Sequence, residues 1–100
     1  MQMFEVRQTE TYKKWFKTLK DRKARARIDI RIKRISLGNL GDVKSVGKEV
    51  FELRIDYGPG YRVYFVERDR IRIILLAGGK KSTQNKDIKK AQELARLVED

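Results

Sequence analysis

Arg54, Arg62 and the pair Lys80–Lys81 are the residues whose types and spacing could do chemistry in this chain. Arg54 and Arg62 flank Tyr57-Gly58-Pro59-Gly60, which reads as a tight turn between two strands, so the two guanidinium groups can approach one another. A guanidinium binds phosphate through two parallel charge-assisted hydrogen bonds. Lys80 and Lys81 leave the end of the next strand and can complete a cationic pocket. Side chains two apart on a strand share a face. Phe51, Leu53 and Ile55 therefore point one way, and Glu52, Arg54 and Asp56 the other. On the return strand Tyr61, Val63 and Phe65 share a face, opposite to Arg62, Tyr64 and Val66. One side of this hairpin is apolar. The other carries arginines and a tyrosine that can stack a base or donate a hydrogen bond. Plainer readings stand beside this one: Arg54 pairs with Glu52 or Asp56, and Tyr64 lies under the last helix.

Composition narrows the chemistry. Lys and Arg number 25 against 14 Asp and Glu, a net charge of +11 on 100 residues, which points to polyanionic partners. Apolar residues make up 40% of the chain, enough for one domain over residues 1–100 with a modest core. The longest apolar run, Ile73 to Ala77, is far short of the roughly 20 residues that span a bilayer. No membrane partner and a cytoplasmic location are expected. Cysteine and histidine are absent, so a thiolate or imidazole metal site and a Ser-His-Asp triad are excluded. No cofactor and no metal are expected. Gly78-Gly79-Lys80-Lys81-Ser82 lacks the spacing of a nucleotide-binding phosphate loop.

The elements that must position these residues can be read from period and punctuation. Phe4 to Thr9 reads as a short strand. Thr9 or Thr11 can cap a helix to about Lys20, with Tyr12, Trp15, Phe16 and Leu19 at helical spacing, which reads as core in preference to a base-stacking platform. Asp21 can cap a second helix to about Leu37, with Ala24, Ile28, Ile32 and Ile35 as its apolar stripe, stopped at Gly38-Asn39. Between Lys13 and Arg34 lie eleven Lys/Arg and two Asp, a local excess of +9: a solvated face, or a surface for phosphates or an acidic partner. Gly38 to Lys48 reads as a loop. Strands at 50–56, 61–66 and 70–77 form an antiparallel meander, and 78–83 reads as a loop. Ser82 or Thr83 can cap a last helix that buries Ile88, Ala91, Leu94, Ala95 and Val98. The expected class is α/β (α+β), in the order β-α-α-β-β-β-α.

The strings Gly41-Asp42-Val43-Lys44-Ser45-Val46-Gly47, Val50-Phe51-Glu52-Leu53-Arg54-Ile55, Tyr57-Gly58-Pro59-Gly60-Tyr61-Arg62-Val63-Tyr64-Phe65 and Leu75 to Gln84, followed by Asp87-Ile88, resemble the RelE/ParE toxin superfamily. They are most similar to its HigB-like "addiction module killer" branch, and the resemblance covers nearly the whole chain. It implies a RelE-like fold: a twisted antiparallel sheet with the N-terminal helical hairpin on one face, an active cleft on the other, and a C-terminal helix. It also implies the toxin of a type II toxin–antitoxin module, acting as a ribosome-dependent mRNA endonuclease. Carried over by position, the catalytic residues would be Arg54, Arg62, Lys80 and Lys81. The implied partners are a cognate antitoxin (a HigA-like helix-turn-helix protein with an acidic segment), the ribosome and mRNA, and operator DNA through the antitoxin. The tyrosine or histidine common in the family's C-terminal segment is missing, and Gln84, Asp87 and Ile88 occupy that region.

The implied reaction is attack of a 2′-hydroxyl on its neighbouring phosphate. Arg62 would stabilise the transition-state charge and Arg54 would hold the phosphate. Without histidine, Lys81 or Lys80 is left to move protons, with Glu52 as an alternative base. Lys44, Lys48, Tyr64, Arg72, Gln84 and Lys86 are the expected nucleic-acid contacts. Two other classes compete: a ParE-like toxin that poisons DNA gyrase without nuclease activity, and a nucleic-acid-binding module without catalysis.

Overall fold

In the computed structural model, which describes residues 3–98, local sequence signals start both helices of the hairpin. Strand β1 (Glu5–Gln8) ends at Thr9, whose hydroxyl accepts from the Tyr12 N–H at 3.1 Å and caps α1 (Glu10–Thr18). The same hydroxyl donates to the Leu76 carbonyl at 2.7 Å, so one side chain both starts the helix and ties it to the sheet. The Asp21 carboxylate accepts from the N–H groups of Lys23 and Ala24 and starts α2 (Arg22–Ser36). Its buried stripe of Ala24, Ile28 and Ile35 recurs at helical spacing.

The remaining elements are β2 (Val43–Ser45), β3 (Phe51–Ile55), β4 (Tyr61–Arg68), β5 (Arg72–Lys80), one 3₁₀ turn (Lys81–Thr83) and α3 (Gln84–Leu97). The five strands form one sheet in the order β1-β5-β4-β3-β2. This is the expected α+β architecture, with three refinements. Residues 43–45, within the expected loop, pair with β3 as an edge strand too short to show alternation. Strand β1 pairs with β5 in parallel, so the sheet is mixed rather than wholly antiparallel. Strand β5 runs through Gly78 and Gly79 to Lys80, where the sequence suggests a loop.

Both faces of the sheet are covered. The helical hairpin packs Tyr12, Ile28 and Ile35 onto Leu53, Val63 and Leu75. Helix α3 packs Ala91 and Ala95 onto Tyr64, Val66 and Leu76 on the opposite face. The face carrying the arginines is therefore half core, and only its Arg54/Arg62 end is left open. A β-bulge in β5 exchanges the faces of the strand's last residues. Tyr64 opposes Ala77 while Phe65 opposes Leu75, so Leu76 is an extra residue and the alternation inverts beyond it. Gly78 then faces α1 and Gly79 faces α3. A Cβ on Gly78 would lie 2.2 Å from the Trp15 ring, and one on Gly79 would collide with the Asp87 carboxylate. The glycines allow both helices to lie directly on the strand backbone.

Candidate functional site

The site forms where β3, β4 and the 3₁₀ turn meet. Arg54 and Arg62 are direct cross-strand partners, and Arg62 in turn opposes Gly79. The Lys81 N–H donates to the Gly60 carbonyl at 2.8 Å, which brings the turn after β5 against the β3–β4 turn. Arg54, Arg62 and Lys81 thereby line one open cavity of about 370 Å³, with Asp42 and Asp56 on its wall. Three cations against two carboxylates leave it attractive to an anion.

Each arginine is held differently. The Arg54 side chain, 38% exposed, pairs with Asp42 at 3.2 Å. Its backbone is fixed on both sides: its N–H donates to the Asp42 carbonyl, and its carbonyl accepts from Arg31 Nη1 at 2.6 Å. Burial, the largest influence, lowers the pKa of Arg31 from its ordinary value. Arg62 is 8% exposed and faces the wholly buried Glu52, Nε to Oε1 at 4.0 Å. The other Glu52 oxygen accepts from the Tyr64 hydroxyl at 3.1 Å and from Gln84 Nε2 at 2.8 Å. Burial and then the Glu52 charge push the Tyr64 hydroxyl well above its ordinary pKa. Tyr64 thus stays protonated and remains a donor to the carboxylate.

This geometry corrects several expectations. Tyr64 has no exposed surface and lies under α3, so it cannot stack a base. Glu52 is equally buried, with two donors on one oxygen, and cannot reach a substrate hydroxyl as a base. It braces Arg62 instead. Gln84, the first residue of α3, serves the same brace rather than contacting nucleic acid through that amide. The two lysines part company. Lys81 faces the arginine cavity, whereas Lys80 opposes Tyr61 and lines a separate cavity with Trp15. The bulge is the cause: strict alternation from Leu76 would have put Lys80 on the arginine face.

The remaining expected contacts are not brought together. Lys44 is exposed on edge strand β2, opposite Glu52, outside the cavity lining. Lys48 adopts a left-handed backbone (φ 55°) and lies beside Glu49, Arg68 and Arg96. Arg72 opposes Glu5 and Arg68 and pairs with Asp69, at the other end of β5, roughly 25 Å along the strand from Lys80. Lys86 stands with Lys14 and Lys90 between α1 and α3. The basic hairpin packs on the reverse face, where Arg25 covers the Phe16 ring at 5.1 Å and Arg27 covers the Tyr57 ring at 4.7 Å.

Sequence reasoning missed Asp42 as the partner of Arg54. It missed Arg31 as the strut beneath that arginine, and Trp15, Tyr61 and Asp87 as walls of the neighbouring cavity. The one legible signal was the Asp87 position, one helical turn after Thr83. Among the described residues, no helix is long and apolar enough to cross a membrane.

Comparison with known proteins places this geometry in a family. Residues 14–96 match the family described as "Phage derived protein Gp49-like (DUF891)". An uncharacterized protein of Haemophilus influenzae is 52% identical over 91 residues, covering 91% of this chain and 92% of its own length. Among solved structures, a free-state mutant of the E. coli toxin RelE superposes with a TM-score of 0.74 at 15% identity, over 98% of this chain and all of that one. The toxin–antitoxin complex RelBE2 of Mycobacterium tuberculosis matches with a TM-score of 0.62 at 20% identity, over 79% of this chain and 99% of that one. The chain belongs to the phage-derived Gp49-like family and has the fold of RelE.

Proposed function

We propose that this protein is the toxin of a type II toxin–antitoxin pair, of the HigB-like kind, and cleaves mRNA on the ribosome. The observation that carries this reading is the convergence of Arg54, Arg62 and Lys81 on one open cavity of a RelE-like sheet. In the reaction, the 2′-oxygen attacks the adjacent phosphorus and the bond to the 5′-oxygen breaks, leaving a 2′,3′-cyclic phosphate and a 5′-hydroxyl. Arg62, braced by Glu52, meets the charge that builds on the phosphate oxygens. Arg54 holds the phosphate. Lys81 gives a proton to the departing 5′-oxygen. The proton of the 2′-hydroxyl passes to Asp56, an exposed carboxylate on the cavity wall.

A polyanionic target suits a chain of net charge +11, and an acidic antitoxin segment laid across the same cavity would silence it. The antitoxin would also carry the pair to operator DNA. The test is a primer-extension map of a reporter mRNA on stalled ribosomes, with the wild-type protein beside an Arg62→Lys form. Cuts inside the A-site codon that vanish in the variant support the reading. A folded protein that arrests growth and leaves the mRNA intact would move it to gyrase poisoning, and tight RNA binding without cleavage or toxicity to a binding module.

A further inference from the structure

The second cavity at this end of the sheet has a chemistry of its own. It encloses about 390 Å³ against the end of β5, between α1 and the start of α3. Its walls include Trp15 and Thr18 from α1, Tyr61 from β4, Lys80 at the end of β5, Thr83 and Asp87. Tyr61 and Arg62 are consecutive in β4 and point to opposite faces, so the strand that carries a guanidinium into one cavity carries a phenol ring into the other. Pro59 lines both.

We propose that this cavity is a nucleobase subsite: it takes the base next to the phosphate held at Arg62 and prefers bases with an exocyclic amine over uracil. The inference rests on the phosphate-cavity reading and adds the ligand's other half. The Trp15 and Tyr61 rings stand 6.4 Å apart at 65°, so a flat ligand stacked on one ring meets the edge of the other. Trp15 lies directly on Gly78, so that wall is fixed by packing. Asp87 is fixed too: its carboxylate lies over Gly79 and accepts the Thr83 hydroxyl through Oδ2. The remaining oxygen, Oδ1, can accept from a ligand. A carboxylate repels phosphate and draws N–H groups. Adenine, cytosine and guanine each present an amine. Uracil presents one ring N–H flanked by two carbonyls, which oppose the carboxylate.

Trp15 is the chain's one tryptophan and a wall of this cavity, so its fluorescence responds to a ligand bound here. The experiment titrates the purified protein with AMP, CMP, GMP and UMP, and with inorganic phosphate. Saturable quenching by AMP, CMP or GMP is expected, with UMP roughly tenfold weaker. Phosphate, which brings no base to stack, should quench far less than AMP, CMP or GMP. Asp87→Asn should erase the discrimination against UMP, and Tyr61→Ala should weaken quenching by every nucleotide. The wild-type titration decides even where a variant folds poorly. No quenching by any nucleotide, equal quenching by UMP and the others, or equal quenching by phosphate would overturn the proposal. Quenching by an acidic peptide and by no nucleotide would reassign the cavity to a protein partner. Nucleotide quenching without mRNA cleavage would sink the nuclease reading and keep the subsite; cleavage without quenching would do the reverse.

Discussion

Glu52 lies behind Arg62, Oε1 to Nε at 4.0 Å, and Tyr64 and Gln84 hold its other oxygen. Truncating one partner of such a buried pair leaves the other charge uncompensated, at a cost of about 3–5 kcal/mol. Arg62→Ala should therefore lose stability as well as activity, and Glu52→Gln combined with Arg62→Ala should recover part of it. A double-mutant cycle by urea denaturation measures this coupling, and additive losses would mean that the brace is not energetic.

Removing the Tyr64 hydroxyl tests the same brace from the far side. Tyr64→Phe should cost about 1.5–3 kcal/mol, the range for a hydrogen bond to a charged group. The ring packing under α3 is kept. Single-turnover cleavage should fall with it, because Glu52 is then less well fixed behind Arg62. A stability loss with an unchanged rate would confine Tyr64 to the core.

The two lysines should separate kinetically. Lys81→Ala removes the proposed proton donor in the arginine cavity and should slow cleavage by about 10²–10⁴-fold. Lys80→Ala acts on the Trp15 side and should cause a much smaller loss of rate. Equal losses would contradict the inversion that the bulge imposes.

Tyr57 ties the β3–β4 turn to α2 by donating its hydroxyl to Asp21 at 2.9 Å. That hydrogen bond, helped by the Ala24 and Lys23 N–H groups, holds the Asp21 carboxyl below its ordinary pKa. A depressed folded-state pKa stabilises the protein above the unfolded value, and the gain fades as pH falls through the folded value. The stability difference between wild type and Tyr57→Phe should be present at neutral pH and shrink below about pH 4. Thermal melts from pH 7 to pH 2 check this, and a difference that grows in acid would refute it.

Gly78→Ala should be poorly tolerated, since its methyl would enter the Trp15 ring. Overpacking of this kind costs about 1–3 kcal/mol. The Trp15 emission should shift as the ring is displaced, and a variant with wild-type emission and melting temperature would show that α1 gives way freely.

Much of the architecture was legible in the chain because it depends on short-range periodicity. Thr9 and Asp21 cap the two helices at the expected positions, and Ile28 and Ile35 fall on the buried stripe. The turn Tyr57–Gly60 makes Arg54 and Arg62 cross-strand partners, because hairpin register follows from the turn. The sequence left Tyr64 open between stacking a base and lying under the last helix, and it gave no sign that Glu52 is buried, because what covers them is a helix that begins twenty residues after Tyr64. Alternation assigns a residue to a face and says nothing of what covers that face.

By itself, then, the sequence determined the helix starts, the hairpin and the opposed arginines, all set by caps, turn residues and a period of two. Tertiary structure decided that Lys81 joins those arginines, since the bulge at Leu76 arises from pairing between β4 and β5 and inverts every side chain beyond it. It also decided that Asp42, on the far side of Gly47, holds Arg54, and that Trp15, more than forty residues before Tyr61, closes a cavity with it. Such contacts depend on which segments meet in space, and no local spacing encodes that.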